Sequence, residues 1–106
     1  MPDLLEKQPA ESRLYDMDFS PKMVGGSSPE AIASVVSVTQ LELLADGTRV
    51  STTDLVFPSA ATFALQIAQQ RIEVGVDGKT YVVTYVVTTD LGNTLEAEGL
   101  LLVIDR

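Results

Sequence analysis

Tyr81, Val83, Tyr85 and Val87 alternate with Val82, Thr84, Val86 and Thr88 without a break. A period of two places successive side chains on opposite faces of an extended chain. A helix cannot gather that set on one side, so the segment is a strand with an aromatic and aliphatic face backed by a mixed one. The β-branched character extends far beyond it. From Ala31 to Arg106, 26 of 76 residues are Val, Ile or Thr, whereas a single Val and no Ile or Thr precede Ala31. Such side chains fit a pleated surface better than a helix, so an all-β fold is expected.

Further strands follow from the same periodicity. Tyr15, Met17 and Phe19 alternate with Asp16, Asp18 and Ser20 up to Pro21. Ile32, Ser34, Val36 and Val38 form another alternating set. Leu41, Leu43 and Leu44 then continue out of phase, which places a bulge near Thr39-Gln40. Ala45-Asp46-Gly47-Thr48 reads as a turn, and Leu55-Val56-Phe57 as a short strand stopped by Pro58. Residues 60–72 carry both strand and helix spacing; with strands on either side, Thr62–Ala68 is expected to be one strand. A loop at Asp90-Leu91-Gly92-Asn93 leads into a last strand from about Thr94 to Ile104. Several short strands joined by tight loops predict an antiparallel β-sandwich. Residues 1–13 mix Leu4 and Leu5 with charges and prolines. They read as an extended N-terminal arm, mobile until it meets a neighbour, or as an edge segment, and 14–106 as the sandwich domain.

The chain contains neither His nor Cys. Zinc centres, iron–sulfur clusters, thiol nucleophiles, disulfides and Ser-His-Asp triads all fall away, and no cofactor is expected. Fifteen acidic residues against seven basic ones give a net charge of −8, which repels phosphate backbones and argues against nucleic acid. No apolar run approaches the roughly 20 residues of a membrane span, and Met1–Arg13 lacks the order of a secretion signal. Asp16 with Asp18, and Glu96 with Glu98, each place two carboxylates about 7 Å apart on one strand face. A cation or acid–base site would need more ligands around them, so each pair reads as a solvated face. Gly25-Gly26-Ser27-Ser28 lacks the Lys and following helix of a phosphate loop and reads as a flexible connection. Nothing in these features calls for an enzyme.

Asp77-Gly78-Lys79-Thr80-Tyr81 resembles the tyrosine corner of immunoglobulin and fibronectin type III domains. There a Tyr opens the penultimate strand and its hydroxyl bonds back to upstream backbone. The resemblance implies an Ig-like sandwich in which Asp77, Gly78 and Tyr81 are structural. An ordinary Asp-Gly turn running into a strand is the alternative.

A wider pattern includes Lys7-Gln8-Pro9, then Tyr15-Asp16-Met17-Asp18-Phe19-Ser20 and Ile32-Ala33-Ser34-Val35-Val36. Gly78-Lys79-Thr80-Tyr81 and Thr88-Thr89-Asp90-Leu91-Gly92 complete it. In order and spacing this resembles the fibre–tail adaptor family of small phage virion proteins, encoded among siphophage structural genes. The likeness runs from residue 7 to about 104. It departs where the family usually carries an aromatic in the second strand, since this chain has only Val36 and Val38. The stretch Ala68–Val76 is also longer than usual. The resemblance implies a non-enzymatic structural protein joining tail or neck components, made in the host cytoplasm and resident in the virion. Its partners would be other virion proteins, with several copies in the particle. A capsid decoration protein stabilising the phage head is the alternative.

Strand alternation also locates an expected interface. If Glu96 and Glu98 face outward, Leu100, Leu102 and Ile104 share their side, as Val82 and Val86 do on the neighbouring strand. Hairpin pairing then brings Val82 beside Leu100 and Leu102. An apolar patch of that kind calls for cover from another virion subunit or from the Leu4-Leu5 arm; the alternative is that the strand lies between two layers of its own domain.

Overall fold

The computed structural model describes residues 11–23 and 30–104, together with the backbone of residues 3–7. Among the described residues the alternation in the sequence becomes nine strands: β1 (Asp3–Lys7), β2 (Arg13–Asp18), β3 (Ile32–Leu43), β4 (Arg49–Ser51), β5 (Leu55–Val56), β6 (Thr62–Ala64), β7 (Ile67–Val74), β8 (Thr80–Thr89) and β9 (Thr94–Val103). A 3-10 turn, Ser20–Lys22, follows β2 where Pro21 ends the extended run.

One sheet has the order β1-β9-β8-β3-β4 and the other β2-β7-β5, with β6 also paired to β7. All pairings are antiparallel except β1 with β9, which is parallel. Ile67–Gln69 pair with both β2 and β6, so β6 and β5 lie in succession along the edge of β7 opposite β2. The two sheets pack as a β-sandwich. Tyr81, Val83, Tyr85 and Val87 are each no more than 1% exposed and form the centre of the core. Leu101 and Val103 join them from β9, Tyr15 and Met17 from β2, and Ala68 and Ile72 from β7. Fully burying one such side chain contributes roughly 1.5–3 kcal/mol.

Two expectations change. The bulges of β3 lie between Ile32 and Ser34 and between Val35 and Ser37, not near Thr39-Gln40. Ile32, Val35 and Val38 all reach the core, three residues apart instead of two, and each added residue is a bulge. Beyond them β3 is regular. Gln40 and Glu42 sit opposite Val83 and Tyr81 on the inner side, and Leu41 sits opposite Val82 on the outer one. Polar residues occupy these inner positions because each finds a partner. Second, Thr62–Ala68 is not one strand but a hairpin, with Leu65-Gln66 connecting β6 to β7. Leu65 takes φ 52° without glycine, asparagine or aspartate to mark a turn. Its carbonyl accepts the Ile32 N–H at 2.7 Å and that of Gln66 accepts the Phe19 N–H at 2.8 Å, holding the turn from outside. Residues 3–7, read as part of an arm or an edge segment, form β1 along β9 of their own chain. An uncovered β9 edge would leave backbone groups unpaired, which this ladder satisfies.

Gly75 tests how closely the sheets meet. A Cβ there would lie 2.8 Å from Val103 Cγ2 and 3.2 Å from Leu55 Cδ2, at φ +104°. Gly78 has φ +84° with nothing within 4 Å of the added atom. Gly78→Ala should therefore cost about 1–2 kcal/mol from backbone conformation alone. Gly75→Ala adds overpacking of roughly 1–3 kcal/mol to a similar backbone term. Urea unfolding of the two variants should rank Gly75→Ala as clearly the less stable.

Candidate interaction surfaces

The outer face of the five-stranded sheet carries the residues that the alternation pointed outward. Across neighbouring strands the register aligns Leu41, Val82, Leu100 and Leu4 in one row. Leu102 lies opposite Thr80, and Glu96 opposite Val86. The structure therefore brings Val82 and Leu100 together, with Leu102 next along β9. Val82 is 0% exposed although it lies outside the core between the sheets. Val86, Leu100, Leu102 and Ile104 are half-buried. Arg49 on β4 donates to Glu98 on β9 at 2.7 Å. Since β3 and β8 lie between those strands, this pair bridges the outer face. Val82 thus has no surface of its own to offer, and the accessible parts of the patch are Val86 and the β9 residues. The side chains of Leu4 and Leu5 lie outside the described residues, while their backbone pairs opposite Leu100 and Leu101.

At the end of the sandwich remote from the β8–β9 loop, polar groups meet around Tyr81. Its ring is 0% exposed. Its hydroxyl accepts the Val76 N–H at 3.0 Å and donates to Asp54 Oδ2 at 3.0 Å. Lys79 Nζ reaches Glu42 Oε1 at 3.1 Å and Asp54 Oδ2 at 3.5 Å. The Gly78 N–H bonds to the Val103 carbonyl at 2.8 Å and the Val103 N–H to the Lys79 carbonyl at 3.0 Å, fastening the turn to the end of β9. Asp77 is exposed at that turn. Burial raises the Tyr81 phenol, and Asp54 adds to the rise. The Tyr81 hydroxyl is the main influence holding the Asp54 carboxyl below its ordinary 3.8, with the Lys79 charge helping against burial. Hydrogen bonding to Glu42 raises Lys79. Sequence reasoning marked Tyr81 but not Asp54 and Glu42, which come from two other stretches of chain, nor the neighbouring Lys79 that ties them together.

Of the paired carboxylates, Asp16, Asp18 and Glu98 are each engaged in a hydrogen bond. Asp16 accepts from Gln69 Nε2 at 2.8 Å, Asp18 from the Ser20 N–H at 2.8 Å, and Glu98 from Arg49. Among the described residues no group of three or more acidic, His or Cys side chains gathers for a metal ion. Gly25-Gly26-Ser27-Ser28 lies outside the described residues. A further acid, Glu30, is 2% exposed and accepts from Thr89 Oγ1 and, at 2.8 Å, from Asn93 Nδ2. It fastens the β8–β9 loop to the start of β3.

The seam between β3 and the second sheet is closed at both ends and open between them. At one end Gln40 acts as a substitute strand partner for Leu55, accepting its N–H and donating to its carbonyl, both at 2.9 Å. At the other, the Leu65 carbonyl holds the Ile32 N–H. Between these contacts lies a cleft of about 440 Å³, bounded by Val35–Val38 and by the 57–61 segment that joins β5 to β6. Gln70, 3% exposed, lines it and donates to the Ser59 carbonyl at 2.9 Å. Val36 is 59% exposed at the rim. Sequence reasoning missed this cleft because it depends on where the bulges of β3 fall.

The family described as "Podophage GP4 fiber-tail adaptor protein gp77" matches residues 7–102. The chain belongs to this phage fibre–tail adaptor family. The description refers to podophages, where the sequence resemblance had pointed to siphophage genes. No curated protein and no solved structure matches. Membership supports a structural adaptor role within the virion, in contact with other virion proteins; the capsid-decoration alternative is not favoured.

The corner makes two predictions. Tyr81→Phe removes two hydrogen bonds and leaves the Val76 N–H without its partner, which should lower stability by roughly 1–3 kcal/mol in urea unfolding. The folded-state pKa of Asp54 is depressed, so its contribution is present above its unfolded value and disappears as the pH falls through the folded one. Between neutral pH and acid below 3.8, stability should therefore fall less steeply in Tyr81→Phe than in the parent.

Proposed function

We propose that this chain is a non-enzymatic structural protein of the phage particle that joins tail or neck components, made in the host cytoplasm and present in several copies per particle. The observation that carries this reading is the family match over residues 7–102. A sandwich with its sheets tied at several points suits a part that must transmit force without deforming. An Ig-like affiliation is supported by the strand order β9-β8-β3 facing β2-β7-β5 and by the Tyr81 hydroxyl bonded to upstream backbone.

In this proposal the outer face of the five-stranded sheet meets other virion proteins through Val86, Leu100, Leu102 and Ile104. Leu4 and Leu5 of the N-terminal segment 1–13 belong to the same edge, since β1 lies beside β9. Val82, buried beneath, sets the spacing of the row and makes no contact itself.

Gold-labelled copies in purified particles test the role. Label confined to the tail or neck is the expected result. Label spread over the whole head would show a decoration protein instead. Replacing Leu100 and Leu102 by Ser tests the face: particles should lose the protein while the free chain still folds. Unfolding of the free chain would place those residues in the core and remove the interface.

A further inference from the structure

Beyond the outer face, a second surface of this chain is shaped for a partner. We propose that the cleft between β3 and the 57–61 segment receives an extended, uncharged stretch of another virion protein, which sets a large apolar side chain into the cleft. The inference rests on the adaptor reading and adds a docking mode to it.

Backbone supply is the first support. β4 covers β3 only at Leu41–Leu43, and among the described residues no strand pairs with the Ser34–Gln40 stretch on that side. An open edge of this kind is a template for an added strand, with main-chain hydrogen bonds giving affinity and side-chain pockets giving choice. The bulge between Val35 and Ser37 redirects the chain there, and Val36 stands 59% exposed at the cleft. Bulges commonly re-aim side chains beside binding sites.

Charge is the second support. The chain carries a net charge of −8, yet every residue lining the cleft is uncharged, Phe57, Pro58 and Ala60 among them. A neutral apolar segment can therefore enter without desolvating a charge. A second copy would bring its own −8 to the encounter, which disfavours self-association and selects a different protein. Size is the third support: about 440 Å³ falls within the range of pockets that hold a compact apolar group, and aromatic or aliphatic anchors seated in pockets dominate protein interfaces. The seam contacts at Gln40–Leu55 and Ile32–Leu65 hold the two walls apart, so the cleft is formed before a partner arrives.

Because the chain has no Cys, a single introduced thiol reports on one place. Val36→Cys samples the cleft, and Ala45→Cys samples the exposed β3–β4 turn. Both should leave thermal stability close to that of the parent. Thiol labelling with a small maleimide is compared in the purified chain and in assembled particles. The Val36→Cys thiol should react freely in the chain alone and at least about tenfold more slowly in particles, while the Ala45→Cys thiol changes little. Equal reactivity of Val36→Cys in chain and particle overturns the cleft, as does equal slowing at both positions. Protection of Val36→Cys in the free chain together with a dimeric mass makes a second copy the occupant and also overturns the proposal. Particles that contain none of the chain by immunoblot would instead remove the adaptor reading itself.

Discussion

The hydroxyl of Tyr81 constrains more of this fold than any other single group. Its ring is fully buried at the start of β8, so the hydroxyl must find partners inside the protein. It accepts from Val76 and donates to Asp54, and Asp54 in turn meets Lys79, whose ammonium also holds Glu42 of β3. Residues ahead of β5, in the β7–β8 turn and on β3 are thereby fixed relative to one ring. The turn itself is tied to the last residue of β9 through the Gly78 and Lys79 backbone. The walls of the sandwich at that end are set by side-chain chemistry more than by strand ladders.

The same device recurs elsewhere along the sandwich. Tyr85 donates to the Tyr15 carbonyl across the core at 3.3 Å, the Gln40 amide imitates a strand partner for Leu55, and Glu30 fastens the β8–β9 loop to the start of β3. These contacts leave a cleft between them on one flank and a half-buried apolar row on the outer face. In the proposed adaptor role, two such surfaces held at fixed separation would hold two neighbours in register.

Much of the core was legible because alternation in β2 and β8 is unbroken: Tyr15, Met17, Phe19, Tyr81, Val83, Tyr85 and Val87 all lie where a period of two puts them. The 76-to-79 turn was legible because Asp-Gly announces positive φ, and Gly78 adopts it. Legibility failed where the chain departs from pattern. The bulges of β3 carry no Gly or Pro, so the phase of Val35–Val38 could not be read. Leu65 enters the left-handed region without a turn residue, which hid the β6–β7 hairpin. Gln40 and Glu42 face inward only because distant groups satisfy them, a fact stored in Leu55 and Lys79 rather than locally. Family membership was readable because short motifs in a fixed order survive such irregularities. The cleft, which depends on the bulges, was not.

Hydrogen exchange of the free protein, resolved to single amides, tests the central claim that contacts outside the strand ladders hold the sheets together. The Val76 amide donates to the Tyr81 hydroxyl and the Leu55 amide to the Gln40 side chain, and the Ile32 amide binds the Leu65 carbonyl. All three should exchange about as slowly as amides in the middle of β8, since only a global opening would release them. Exchange of Val76 and Leu55 at the fast rate of the exposed β3–β4 turn, with β8 still protected, would contradict the account.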